Sequence, residues 1–207
     1  MFSAHQNSVL TKPTTMNISH ILILSFLLTA VTHADVATGP RMLFDFSNPE
    51  ASRQWQTVND GVMGGRSDGR FRINEEKHLE FFGNLSLENN GGFASVRSRN
   101  TPMNLQSGDT IIMKVRGDGR DYTLNLYTPS RRMAFSYRAT FPTKNGVWTQ
   151  VRVPLSKFVA TSFGRVVNNL SLQPNEISGI GVLLGDKKPG PFKLQIGSIS
   201  VATKDLK

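Results

Sequence analysis

Tyr122-Thr123-Leu124-Asn125-Leu126-Tyr127 and, a few residues further on, Met133-Ala134-Phe135-Ser136-Tyr137-Arg138-Ala139-Thr140-Phe141 are the stretches that decide the fold class of this chain. In the first, Tyr122, Leu124 and Leu126 alternate with Thr123, Asn125 and Tyr127. In the second, Met133, Phe135, Tyr137, Ala139 and Phe141 alternate with Ser136, Arg138 and Thr140. Successive side chains of a β-strand point to opposite faces, so a period of two is the mark of a strand with one buried and one polar face. A helix would need apolar residues three and four apart.

The same period extends in both directions. Ile111, Met113 and Val115 alternate with Lys114 and Arg116. Val147, Thr149, Val151, Val153 and Leu155 alternate with Gln150 and Arg152. Leu79, Phe81, Leu85 and Leu87 share one face of His78–Glu88, with Glu80, Asn84, Ser86 and Glu88 on the other. Turn signals stand between the runs: Ser67-Asp68-Gly69, Asn89-Asn90-Gly91-Gly92, Ser107-Gly108-Asp109, Gly117-Asp118-Gly119, Lys144-Asn145-Gly146 and Gly185–Gly190. Roughly ten short antiparallel strands are expected. That is too many for one sheet with an exposed apolar face, so two packed sheets are predicted. Asn48–Gln54 reads as a single capped turn, and Ser156–Asn175 as the longest irregular loop. No internal repeat or second domain is visible.

Ahead of the strands, Ile18–Val31 is almost entirely apolar and is followed by Thr32-His33-Ala34, small at its first and last positions. This pattern fits the apolar centre and cleavage site of an export signal. The run falls short of the roughly 20 apolar residues that span a bilayer. Two readings compete, a cleaved signal and an uncleaved anchor; the cleaved form is expected, with removal of residues 1–34. A single domain over 35–207, exported to the periplasm or secreted and with no stable membrane insertion, would remain. Positive charge before the run comes only from Lys12, and translation could start at Met16 instead of Met1.

The chain has no cysteine, which excludes disulfides, thiolate metal sites and cysteine nucleophiles. Its 24 Lys+Arg against 15 Asp+Glu give a net charge of +9, dispersed among the strands. That charge fits a solvated cationic surface, or contact with an anionic membrane, a glycan or an acidic partner; nucleic acid is not an expected partner.

Three of the four histidines lie before Asp35, so only His78 could serve a catalytic triad, and a zinc site built from several histidines is excluded. His78 follows Glu75-Glu76-Lys77 and reads as a solvated surface residue. Asp60, Asp68, Asp118, Asp121 and Asp186 all sit near glycines, where an aspartate commonly shapes a turn. A calcium site made of such loop aspartates stays open, because their spacing does not specify one. Val62-Met63-Gly64-Gly65-Arg66-Ser67 lacks the Gly-Lys-Ser/Thr of a phosphate loop and opens no helix. No cofactor and no catalytic residues are expected.

Five segments carry a family resemblance, in order: Trp55-Gln-Thr-Val-Asn-Asp60-Gly-Val-Met-Gly64-Gly65-Arg-Ser67; Phe82–Leu87 with Gly91–Arg97; Val115–Tyr122; Trp148–Phe158; and Gly190–Ile196. Together they resemble the complex I intermediate-associated protein family, in which an aspartate is followed by a glycine pair and a serine. The resemblance runs from about Phe44 to Val201. It implies a galactose-binding-domain-like jelly-roll sandwich and, from the mitochondrial members, an assembly factor for respiratory complex I that acts by binding. It supplies no catalytic residues. An export signal would part this chain from the arm of complex I that those members serve.

A non-catalytic binding module is therefore expected, with a protein partner as the leading reading and a carbohydrate as the alternative. Tyr127 and Trp148 decide between them, since an open coplanar pair of rings would favour sugar. Asp60, Gly64, Gly65 and Ser67 are expected to form a structural turn. Ser95, Arg97 and Arg99 share one strand face, and Arg116, Tyr127, Arg138 and Arg152 lie on the polar faces of theirs. Arginine and tyrosine are enriched at binding hot spots, so Arg97, Arg116, Tyr127 and Arg138 are expected to line one partner-binding surface.

Overall fold

The computed structural model describes residues 39–129 and 134–203. The predicted leader, its cleavage site and Met133 lie outside them. Among the described residues there are thirteen strands and no α-helix. The strands are β1 (Arg41–Asp45), β2 (Trp55–Thr57), β3 (Asp68–Ile73), β4 (Leu79–Leu85), β5 (Ala94–Ser98), β6 (Thr110–Arg116), β7 (Asp121–Tyr127), β8 (Phe135–Pro142), β9 (Trp148–Pro154), β10 (Val159–Ser162), β11 (Arg165–Val166), β12 (Gly179–Leu184) and β13 (Gly190–Ala202). The predicted capped turn is a 3-10 turn, Pro49–Gln54, whose start is held by Asn48 Oδ1 accepting from the Glu50 N–H.

Two antiparallel sheets form the sandwich. One has six strands in the order β3-β4-β13-β6-β9, with β1 also paired to β13; the other has seven, β11-β10-β8-β7-β12-β5-β2. Between them lies the core predicted from the period-two pattern: Leu79 and Phe81, Ile111 and Met113, Tyr122, Leu124 and Leu126, with Ile180 and Leu184, all fully buried. Each such side chain contributes about 1.5–3 kcal/mol relative to an exposed one.

A register shift falls between Ile196 and Ser198 of β13. Before it, Phe192, Leu194 and Ile196 face the core; after it, Ile199 and Val201 do. One extra residue in a strand is a β-bulge, which resets the phase of the pleat. Here it keeps both halves of a 13-residue strand facing inward while the partner on one side changes from β4 to β1.

Four expectations need correction. Ser156–Asn175 is not an irregular loop throughout, because β10 and β11 form a hairpin inside it; segments of four and two residues are too short to show periodicity. Leu87 lies beyond the end of β4 and is 42% exposed, and Val147 precedes β9 and is 48% exposed. His78 is not a free surface residue. Its ring meets the Trp148 ring edge-on at 4.7 Å and its Nδ1 lies 3.3 Å from Glu76 Oε2.

Candidate functional site

The turn after β2 is organised by one carboxylate. Asp60 is fully buried. Its Oδ1 accepts from the Ser67 N–H at 2.9 Å, and its Oδ2 from Ser67 Oγ at 2.6 Å, the Gly92 N–H at 2.6 Å and the Phe93 N–H at 3.2 Å. Gly64 ends the turn in the left-handed region at φ 88°, and a Cβ on Gly65 would fall 2.4 Å from Asp60 Cγ. Burial alone would raise the Asp60 pKa, but the hydrogen bonds from Ser67, Gly92 and Phe93 outweigh it and hold the carboxyl below the usual carboxylate range. Gly65 and Ser67 thus close on the buried Asp60 carboxylate while Gly64 ends the turn, which exposes Val62 and Met63. Two other turn aspartates accept from the N–H two residues on, Asp118 from Arg120 and Asp186 from Lys188. Among the described residues no three His, Asp or Glu side chains gather as metal ligands.

The polar surface expected from the arginines divides in two. Arg97 (β5), Tyr127 (β7) and Arg138 (β8) stand on the outer face of the seven-stranded sheet. Arg116 stands on the six-stranded sheet, as does Arg152. The four residues therefore do not line one surface. Alternation placed each on the polar face of its strand, but it carried no information on which sheet each strand joins.

Arg116 belongs to a row of cross-strand neighbours, Arg72–Glu80–Gln195–Arg116–Trp148. Arg72 and Gln195 donate to the nearly buried Glu80, Arg116 Nε donates to Gln195 Oε1 at 2.6 Å, and Lys193 Nζ lies 3.1 Å from Glu80. The row ends on Trp148, whose ring carries the Arg116 guanidinium at 5.1 Å and Lys114 Nζ at 5.3 Å. Cation–π contacts of this kind are worth about 0.5–1 kcal/mol each at partly exposed sites. Trp148→Ala should therefore lower stability by about 1–2 kcal/mol in urea unfolding while leaving partner binding intact. Tyr127 and Trp148, on different sheets, form no shared platform.

The other three residues build a trough. Arg97 (β5), Gly181 (β12), Asn125 (β7) and Arg138 (β8) are successive neighbours across four strands. At about 4.8 Å per strand the two arginines begin roughly 14 Å apart. Gly181 supplies no side chain to the floor between them, and a Cβ there would fall 2.6 Å from the Val96 carbonyl oxygen and 3.1 Å from Arg97 Cα. Asn125 and Ser136 are buried on this outer face, as is Ser95.

Each guanidinium is tethered in the same way. Arg97 Nε donates to Ser95 Oγ and Arg138 Nε to Ser136 Oγ, both at 3.0 Å. The serines are fixed in turn, Ser95 Oγ donating to the Val58 carbonyl at 2.6 Å and Ser136 Oγ to Asn125 Oδ1 at 3.1 Å. The Arg97 guanidinium lies over the Tyr127 ring at 5.1 Å. Burial lowers the Arg138 pKa, and the charge of Arg97 lowers it further, against an opposing effect of Tyr127. Burial raises the Tyr127 pKa while both arginines pull it down. Among the described residues no carboxylate lies within 4 Å of either guanidinium.

The β10–β11 hairpin borders this trough, since Val159 pairs with Arg138 and Thr161 Oγ1 donates to the Ser136 carbonyl. Its turn is Phe163-Gly164, both at positive φ, 46° and 75°. Such a turn favours Asn-Gly, and an aromatic residue held there costs about 1–2 kcal/mol. Phe163 is nonetheless 62% exposed. A Cβ on Gly164 would stand 3.9 Å from Arg138 Nη1, which places the turn beside that guanidinium. Sequence reasoning missed Phe163 because nothing marked Ser156–Asn175 as a hairpin. A cleft of about 780 Å³ opens elsewhere between β8 and β9, lined by Phe141, Val151, Val153 and Lys157.

Solved structures share this fold. The family 11 carbohydrate-binding module from Clostridium thermocellum, in complex with a β-1,3-1,4-mixed-linked tetrasaccharide, superposes with a TM-score of 0.61 at 14% identity, over 81% of this chain and 97% of that one. The corresponding module of the cellulosomal cellulase Lic26A-Cel5E gives 0.62 at 14% identity, over 81% and 96%. At that identity the likeness establishes the galactose-binding-like sandwich and nothing about a ligand. In sequence, the chain is 28% identical to the mitochondrial Complex I intermediate-associated protein 30 of Mus musculus, over 79% of this chain and 56% of that protein. It is 27% identical to the Drosophila melanogaster protein, over 77% and 62%. The matched part is thus less than two thirds of either relative's length.

These relatives are mitochondrial proteins, which overturns the expectation of a periplasmic or secreted protein. An apolar run before a small-x-small site is a compositional signal, and here it misread the compartment. The family described as Complex I intermediate-associated protein 30 (CIA30) matches residues 44–196, the span that holds the Asp60 turn and most of both sheets, and the chain belongs to that family.

Proposed function

We propose that this chain is a non-catalytic binding module of the mitochondrion that assists the assembly of respiratory complex I. It holds a protein partner on the outer face of its seven-stranded sheet. The observation that carries this reading is the trough between Arg97 and Arg138. Two partly buried guanidiniums, each tethered through Nε to a fixed serine, stand on either side of Gly181 and Asn125 with no carboxylate beside them among the described residues. Preorganised arginines beside a tyrosine are the groups that contribute most when a partner covers them. Membership in a family named for association with complex I intermediates supports the identity of the partner assembly.

The fold is equally that of carbohydrate-binding modules, but a sugar platform of stacked rings lacks its second member, because Trp148 lies on the other sheet. The test is complementation. In cells deprived of their own family member, the full chain should restore mature complex I on native gels. The Arg97→Ala/Arg138→Ala double variant, equally abundant and folded, should leave assembly intermediates. Full restoration by the double variant would reject the trough as the working surface, and failure of the wild type would reject the assembly reading.

A further inference from the structure

We propose that the trough is a carboxylate-recognition site for an acidic, partly apolar segment of a protein partner, and that Phe163 is a contact residue of that site. The proposal deepens the assembly reading and rests on it. Nε of each arginine is spent on Ser95 or Ser136, which fixes both guanidinium planes. Their remaining N–H groups form the fork that fits a carboxylate with two parallel hydrogen bonds.

The floor between them is neutral, formed by Gly181 and by the buried Asn125 and Ser136, with the Tyr127 ring beneath the Arg97 guanidinium. The charge of Arg97 disfavours that of Arg138, about three strands away on the same face, so an anion placed between them relieves a repulsion built into the unbound protein. Charge complementarity thus selects an acidic occupant.

The apolar component follows from the bordering hairpin. Val159, Phe163 and Val166 are 46%, 62% and 63% exposed along this edge. Phe163 is also the one aromatic among the described non-glycine residues at positive φ. A conformation that Asn or Gly would adopt freely is occupied by a residue that gains nothing from it while exposed. Strain of this kind collects where a side chain meets a ligand. The Phe163-Gly164 turn, whose Gly164 stands beside the Arg138 guanidinium, therefore offers exposed apolar surface at the border of the anion site, which suits a strand-like segment of alternating acidic and aliphatic residues better than a free inorganic anion.

The experiment uses the full chain and two probes, the capped peptides Glu-Leu-Glu-Leu-Glu and Gln-Leu-Gln-Leu-Gln, followed through the arginine Nε–H signals by NMR. The glutamate peptide should shift the Arg97 and Arg138 signals saturably and bind at least about tenfold tighter than the glutamine peptide. Phe163→Asn should raise the Tm by about 2–4 °C and weaken the glutamate peptide severalfold; such opposite signs cannot come from damage to the fold. Arg138→Gln should remove the preference for glutamate.

Equal binding of the two peptides, or wild-type affinity in Phe163→Asn, would overturn the proposal. So would inorganic phosphate or the mixed-linked tetrasaccharide binding as tightly at the same signals. None of these results would bear on complementation, so the assembly reading can survive the loss of this one.

Discussion

Asp60→Ala should lower the stability of the domain by about 3–5 kcal/mol, a loss of the size seen when a buried charge network is broken, and the Tm by roughly 10 °C. The carboxylate accepts four hydrogen bonds from Ser67, Gly92 and Phe93. Alanine leaves those donors unpaired, and each orphaned buried group costs about 1–3 kcal/mol when water cannot replace the acceptor. Glycines at 65 and 91 let the backbone close on the carboxylate, which leaves no room for a larger acceptor.

The effect depends on pH. The folded pKa of Asp60 is depressed, so the stabilisation is fully present above the unfolded carboxylate value of about 4 and is lost as pH falls through the folded value below it. The gap between wild type and Asp60→Ala should therefore narrow in acid unfolding below about pH 4. A variant of unchanged Tm that lost its partner would show that Asp60 serves binding instead.

Arg120→Ala should destabilise by a similar amount, about 3–5 kcal/mol, because it strips one partner from a buried ion pair. The guanidinium grips Asp186 with two bonds, at 2.6 and 3.0 Å, and the two side chains are only 12% and 9% exposed. It also donates to the carbonyls of Lys188 and Pro191, so one side chain holds the whole connection from β12 to β13. Burial raises the Asp186 pKa, but Arg120 and the Lys188 N–H together bring it below the ordinary range. Unfolding in urea at pH 7 should show the full loss. Arg120→Lys should recover only part of it, since a point charge cannot make the paired contact. A midpoint within 0.5 kcal/mol of wild type, the scatter usual for surface substitutions, would show that the connection is held by other contacts.

The two sheets were legible in the sequence wherever a strand ran for seven or eight residues with one apolar face, as β4, β6, β7, β8 and β9 do. The β10–β11 hairpin was not, because its strands are short and its turn, Phe163-Gly164, carries an aromatic residue where turn chemistry predicts asparagine. The Asp60 turn could be read from its glycines and serine, but the N–H groups of Gly92 and Phe93 that complete it come from 32 and 33 residues away. The same limit applied to the arginines. Arg97, Tyr127 and Arg138 could be assigned to polar faces, while their meeting in one trough and the departure of Arg116 depend on the order β8-β7-β12-β5, which no local pattern encodes.

The place of β13 has a consequence for how the chain acquires its structure. This strand is hydrogen-bonded to β1, β4 and β6, so the spine of the six-stranded sheet is made after the other twelve described strands. Until it arrives, β4 and β6 each present an open edge, and such edges invite pairing with other chains. Folding dominated by pairings so distant in sequence is slow. The nascent domain should therefore remain open, and able to be threaded through a translocation channel or held by a chaperone, until synthesis of the strand is complete. Removal of Gly190–Ala202 should then yield an aggregating product instead of a shortened sandwich, which expression of a chain ending at Pro189 with a sedimentation assay would reveal.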